Sequence, residues 1–300
     1  MNRLGAAIAL AFAAPQPLVA QPVIDEMEAP EAPPVPRIDP AVLDEQGLRA
    51  LITDLRHRPE EQAAAIRELR RRFRSPAADA FAQNAEAMQA LDAFDGPGAW
   101  SRFTRVRGSY ADSADPAVQV EVARAIQGQA QAQDLIEAGD LLGPMKPVTA
   151  ETIRLDALSH RLRRELVQTY GRRREPGIRR VVAQERLNIA VGEAIARRFR
   201  DGPAPFLAIV RDYDGSTDPS VQWVVAEAFA NLAHFQHDPR KQIAWYDEII
   251  RRFSATRDLS LRGKVDEAYA NKAYWLEELG EAEAARRATS EYHEWMLRGD

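Results

Sequence analysis

One turn motif that occurs four times constrains the fold of this 300-residue chain more than any other feature. Each copy starts with an aromatic residue, has an acidic residue five positions later, and continues with proline or leucine. An acid before proline is typical of a helix start, because the carboxylate accepts from free N–H groups and proline has no N–H to leave unpaired. We therefore predict that the aromatic residue ends one helix and the acid caps the next. The aromatic residues are Tyr110, Tyr170, Tyr213 and Phe253, and the acids are Asp115, Glu175, Asp218 and Asp258.

Further matches follow each turn at fixed positions and describe the helix that it starts. A valine, then a glycine or asparagine, then an alanine recur: Val122, Val182, Val225 and Val265; Gly128, Asn188, Asn231 and Asn271; Ala130, Ala190, Ala233 and Ala273. Apolar residues in the last copy recur at helical spacing, which predicts a buried stripe. The copies begin 60, 43 and 40 residues apart. Self-similarity at such a period predicts stacked helix-turn-helix repeats, an α-solenoid.

The remainder of the chain also has helical patterns. We expect helices at 41–56, 60–74 and 77–94, with Phe81, Ala85, Met88, Leu91 and Phe94 in a core stripe. Asp-Gly-Pro at 95–97 and 201–203 suggests that glycine ends one helix and proline opens the next. Thr149 can cap a helix that runs to Thr169. No segment alternates like a strand, so the predicted class is all-α with no significant β-sheet. Residues 41–98 form N-terminal helices (a cap or first repeat), and 99–300 hold the repeats with an insertion near 134–160.

The first forty residues have the composition of an export signal and a spacer. Residues 1–20 carry Arg3, an apolar stretch too short to span a bilayer, and a small residue at Ala20, the pattern of a secretory signal cleaved after Ala20. Residues 21–40 are acidic and rich in proline, which favours an extended, disordered linker. Cysteine is absent, which excludes disulfides, thiol chemistry and a lipoprotein anchor. We expect a periplasmic or secreted protein with no membrane span after cleavage.

Charge limits the kinds of partner. A net charge of -5 argues against a general nucleic-acid binder. The charge is uneven, because residues 154–200 hold thirteen arginines and five acids, whereas residues 212–300 hold 17 acids and 11 bases. Opposite signs could steer an anionic partner or favour self-association. A solvated basic helix face is the alternative.

The C-terminal segment AYANKAYWLEELGEAEAARRATSEY resembles a tetratricopeptide repeat, with Tyr269, Ala273, Leu276, Leu279-Gly280 and Ala285 at signature positions. The units are longer than the usual ~34 residues, and Tyr269 stands where tryptophan is common. The resemblance implies a concave groove that holds a peptide or partner helix. It places the recurring asparagines in that groove, unless they bond the backbone of a neighbouring repeat. The groove residues implied are Asn188, Glu227, Asn231, His234, Glu267, Asn271 and Tyr274.

Catalytic and metal motifs are weak in this sequence. His234 and His237, which are followed by Asp238, are three residues apart and could face one metal ion. A zinc site needs at least three protein ligands, however, and the other histidines are scattered along the sequence. Asp212, Asp214, Ser216 and Asp218 alternate like the start of a calcium loop, but Gly215 and Trp223 break the pattern. We find no hydrolase, metalloprotease, phosphate-loop or dinucleotide motif. The sequence therefore predicts a scaffold for protein–protein interactions, without catalysis or cofactors. An envelope-structural or carbohydrate-associated component is the alternative, ahead of a wall-degrading hydrolase or lyase.

Overall fold

The computed structural model describes residues 38–139, 157–197 and 202–297, and these ranges contain α- and 3-10 helices but no strand. The predicted all-α class is confirmed. The proposed signal, most of the linker, Thr149 and most of the insertion lie outside the described residues. The α-helices are α1 (Glu45–Asp54), α2 (Pro59–Arg72), α3 (Pro76–Asp92), α4 (Gly96–Tyr110), α5 (Pro116–Gly139), α6 (Leu158–Tyr170), α7 (Pro176–Ala196), α8 (Ala204–Tyr213), α9 (Pro219–His234), α10 (Pro239–Phe253), α11 (Leu259–Glu278) and α12 (Ala282–Leu297).

The helices form two compact units, one with α1–α5 and the other with α6–α12. In the first unit, α1–α3 enclose one buried cluster that includes Leu48, Ile66 and Phe81. A second cluster around Phe103 and Val106 joins α3, α4 and α5. In the second unit one continuous core runs from α7 to α12.

The repeated turn behaves largely as predicted. Its four aromatic residues are the last residues of α4, α6, α8 and α10. Asp218 accepts from the N–H of Ser220 at 3.0 Å, and Asp258 accepts from the N–H of Leu261 at 3.0 Å. Glu175 was predicted to cap α7, and this is wrong. Its longer side chain turns back and accepts from the N–H of Arg174 at 2.9 Å.

Two predictions around the Asp-Gly-Pro segment at 95–97 are also wrong. Phe94 was expected in the core stripe, but it has a positive φ of 60° and is 71% exposed. Gly96 was expected to end a helix, but it is the first residue of α4, which Asp95 caps. The glycine permits close packing instead, because a Cβ there would lie 2.8 Å from the side chain of Ile136 on α5.

The long helices pack against the short helices on either side of them in the chain and also against one another. In the second unit α9 contacts α8 and α10, and it contacts both α7 and α11 as well. In the first unit α3 contacts α5 in the same way. The helices α7, α9 and α11 therefore form one layer, in which each lies beside the next.

A core pair at fixed distances from the repeated turn recurs in three of its four hairpins. The residue seven positions before the aromatic is Phe103, Phe206 or Tyr246, and the residue nine positions after the helix start is Ala125, Ala228 or Ala268. All six are buried, and each pair belongs to a common cluster. The same spacings in α2 and α3 give Ile66 and Ala85, across a turn three residues shorter. A large side chain opposite alanine lets the two helices approach closely.

The hairpin α6–α7 replaces this apolar pair with an ion pair. Arg163 and Glu185 take the two positions, and Arg163 Nε lies 3.1 Å from Glu185 Oε2. Glu185 is fully buried and also accepts from Asn188 Nδ2 at 3.0 Å. Burying both charges costs desolvation energy that their attraction only partly offsets.

The equivalence of these pairs can be tested by exchange. We expect Glu185→Ala alone to destabilise the protein by about 3–5 kcal/mol, because it leaves the arginine buried without its partner. The double variant R163F/E185A restores the combination of the other hairpins and should be at least as stable as the parent. Urea unfolding followed by circular dichroism measures both. A double variant as unstable as Glu185→Ala would contradict the shared packing scheme.

The caps can be tested with a matched pair of variants. Asp258→Ala removes a side chain that caps α11, so we expect a loss of about 1 kcal/mol. Glu175→Ala removes a half-buried side chain that does not cap α7, so we expect a change within about 0.5 kcal/mol. Equal losses in denaturant unfolding would show that the assignment of the two caps is incorrect.

Candidate interaction surface

The layer α7, α9 and α11 leaves one side uncovered by the helices that the structure describes. The short helices α8 and α10 and the last helix α12 pack against its other sides. On α9 the uncovered residues recur at steps of four, four and three, which is one helix face. Three of them are half-buried, and His234 is exposed. We call this surface the open face and define it by Gln184 and Asn188 on α7, Trp223, Glu227, Asn231 and His234 on α9, and Glu267, Asn271 and Tyr274 on α11.

The open face is defined so that it includes the seven residues predicted for a groove, and none of the seven is buried. The asparagines there bond their own helices, not a neighbouring repeat. Asn231 Nδ2 donates to the carbonyl oxygen of Glu227 at 2.8 Å, and Asn271 Nδ2 donates to that of Glu267 at 2.8 Å. The amide oxygens of these two asparagines accept no hydrogen bond from the described residues. They are therefore available to a backbone N–H of a bound segment.

Lys264 is a member of this surface that sequence reasoning missed. Its Nζ lies 2.5 Å from Glu227 Oε2 on α9 and 2.7 Å from Glu267 Oε2 on its own helix. It also lies 5.7 Å from the centre of the Trp223 ring. Burial lowers the pKa of Lys264, but the two carboxylates outweigh that effect and the pKa is raised. The charged lysine therefore joins α9 to α11. The available signal was the three-residue step from Lys264 to Glu267, typical of a helical ion pair.

His234 is exposed, yet protein surrounds its ring on the sides that face the layer. Desolvation lowers its pKa, Glu267 and Glu227 raise it, and Lys264 lowers it. The net shift is downward, so the imidazole is neutral at pH 7. Among the three charges, Glu267 has the largest influence on the pKa of His234. The carboxylate on α11 is thus electrostatically coupled to the histidine on α9.

Three of the acidic side chains that could have bound a metal ion have other partners. Asp238 caps α10 by accepting from the N–H of Arg240 at 2.9 Å. Asp212 pairs with Arg186 at 2.8 Å, and Asp214 pairs with Arg252. Within the described ranges no group of three histidine or acidic side chains is placed to hold a metal ion.

A cleft of about 420 Å³ lies in the first unit, where α2 ends and α3 begins. Its polar groups already pair with one another. Tyr110 donates to Asp79 at 2.5 Å, and Arg70 pairs with Asp79 and with Glu86. Burial and the adjacent Asp79 raise the pKa of Tyr110 to about 12. This cleft is lined by Arg70, Phe73, Arg74, Ser75, Pro76, Asp79 and Tyr110.

Several arginines in the basic segment 154–200 are neutralised by acids. Arg163 pairs with Glu185, and Arg164 pairs with Glu193 at 2.8 Å. Arg180 and Arg186 pair with acids of the following hairpin, Asp218 and Asp212. Because these arginines already form ion pairs within the chain, the excess of arginine in this segment favours a role in stabilising the fold over a role in binding an anionic partner.

No protein-family model, curated protein or solved structure matches this chain. Among the described residues, no helix is both long and apolar enough to cross a membrane.

The electrostatic link across the open face can be measured directly. We expect nuclear magnetic resonance titration to give His234 a pKa below that of an unperturbed histidine. Glu267→Gln should lower it further, because the charge that favours the imidazolium is removed. Glu283→Gln on α12 is the control and should leave the pKa of His234 unchanged. A rise in this pKa with Glu267→Gln would contradict the proximity of the two side chains.

Proposed function

We propose that this protein is an exported, non-catalytic scaffold of tetratricopeptide-like repeats that binds a protein or peptide partner on the open face. One observation carries the proposal: three long helices lie side by side and present half-exposed polar residues in the same register on their uncovered side. Export rests on residues 1–20, and the periplasm or the exterior of the cell is the proposed location.

The dimensions of the open face suit a short segment of a partner. Three neighbouring helices at about 8–10 Å spacing give a width of about 20 Å. The rows from Trp223 to His234 extend along α9 for about 17 Å at 1.5 Å per residue. This area accommodates one helix of about 10 Å diameter or about five residues of extended chain. A partner segment of this size would contact both the asparagines (Asn231 and Asn271) and the charged residues (Glu227, Lys264 and Glu267).

The polar residues of the open face support binding over chemistry. Glu227, Glu267 and Lys264 hold one another in ion pairs, and the asparagine nitrogens bond their own helices. Such groups are fixed in position before a ligand arrives, which lowers the entropy cost of binding. The groups that remain available to a partner are hydrogen-bond donors, hydrogen-bond acceptors and aromatic rings.

Site-specific photocrosslinking in cells that produce the protein tests this function. We expect a photoreactive residue at Tyr274 to capture a discrete protein partner. The same residue at Arg287, which is exposed on α12, should capture much less. Equal capture at the two positions, or none at Tyr274, would contradict binding on the open face.

The asparagine row has its own test in the same experiment. We expect the variant N231A/N271A to reduce capture from Tyr274 by about tenfold, since each lost hydrogen bond contributes about 0.5–1.5 kcal/mol. Unchanged capture would remove the asparagines from the binding site while leaving the scaffold function in place.

A further inference from the structure

The open face already binds one cation, which belongs to the chain itself. Lys264 is held by two carboxylates and lies over the ring of Trp223. A carboxylate beside an aromatic face is the combination that stabilises ammonium and guanidinium groups. The surface therefore has the chemistry of a cation-binding site in at least one place.

The charge of this cluster is not balanced. Glu227 and Glu267 together carry two negative charges, and Lys264 supplies one positive charge. The side chain of Glu227 is 18% exposed and that of Lys264 is 14% exposed, whereas that of Glu267 is 39% exposed. The surplus negative charge is consequently accessible at Glu267.

Two rings lie on the same face two turns further along their helices, about 10 Å at 1.5 Å per residue. His234 on α9 and Tyr274 on α11 occupy equivalent positions, each seven residues after its glutamate. The neutral imidazole does not repel a cation, and the tyrosine ring attracts one through its negative face.

We propose that the partner segment bound by the open face is basic and carries an arginine or lysine that pairs with Glu267. This inference rests on the proposed binding function and names the chemistry of the partner. An acidic segment would meet Glu267 with like charge, and Lys264 is too enclosed to compensate. Guanidinium fits best, because it stacks on rings while it donates to a carboxylate.

Peptides of defined charge test the proposal on the full-length protein. The probe is an octapeptide of alternating alanine and arginine, and its counterpart has glutamate in place of arginine. Binding is followed through the imidazole signals of His234, with those of His57 and His293 as internal references. We expect the arginine peptide to shift the His234 signal selectively and to bind at least tenfold more tightly than the glutamate peptide.

Two isosteric variants separate a specific contact from general charge attraction. Glu267→Gln should weaken binding of the arginine peptide by about tenfold, since it removes one charge-assisted contact. Glu283→Gln removes the same charge from α12 and should leave binding unchanged. Equal weakening by both variants, or equal binding of the two peptides, would overturn the proposal.

The outcome is distinguishable from a failure of the proposed function. If the arginine peptide does not bind while Tyr274 still captures a partner in cells, the basic-segment proposal is wrong and the scaffold function stands. If neither occurs, both proposals fail.

Discussion

The packing of a large side chain over a small one, at fixed distances from a repeated turn, is the constraint on which the rest of this structure depends. The turn sets where one helix ends and the next begins, so the residue seven before it and the residue nine after the helix start enter a common buried cluster. Alanine at the second position lets the helices approach, and in the first unit Gly128 makes further room for the ring of Phe103. Close hairpins in turn allow the long helices of the second unit to lie directly beside one another.

The hairpin α6–α7 shows that shape at this position matters more than polarity. Arg163 and Glu185 take the two positions that a large apolar residue and alanine take elsewhere. The buried carboxylate forms an ion pair with Arg163 and accepts a hydrogen bond from Asn188. An ion pair between two helices also occurs on the open face, where Lys264 connects α9 and α11. There the acids outnumber the cation and one of them faces solvent. Charge that is neutralised in one hairpin is thus left accessible in another.

Much of this fold could be read from the sequence because aromatic, acid and proline act locally: a cap and a helix end depend on a few adjacent residues. The ends of α4, α6, α8 and α10 were predicted for that reason. Glu175 was misassigned because an extra methylene changes which N–H a carboxylate reaches. The two helices α2 and α3 were predicted, but their core pair was not recognised because their turn is three residues shorter. Lys264 was missed because its role depends on Glu227 of another helix. The rows of the candidate surface were predictable from register, but their pairing required the three-dimensional arrangement.

The central claim is that the uncovered side of α7, α9 and α11 is accessible in the isolated protein and covered by a partner in the cell. The chain has no cysteine, so a single introduced cysteine reports its own surroundings without background. The decisive measurement compares the rate at which N-ethylmaleimide labels His234→Cys in the purified protein and in intact cells, with Arg287→Cys on α12 as the reference. We predict fast labelling of both after purification, and protection in cells at position 234 only. Labelling of His234→Cys at the same rate relative to Arg287→Cys in both settings would contradict the account.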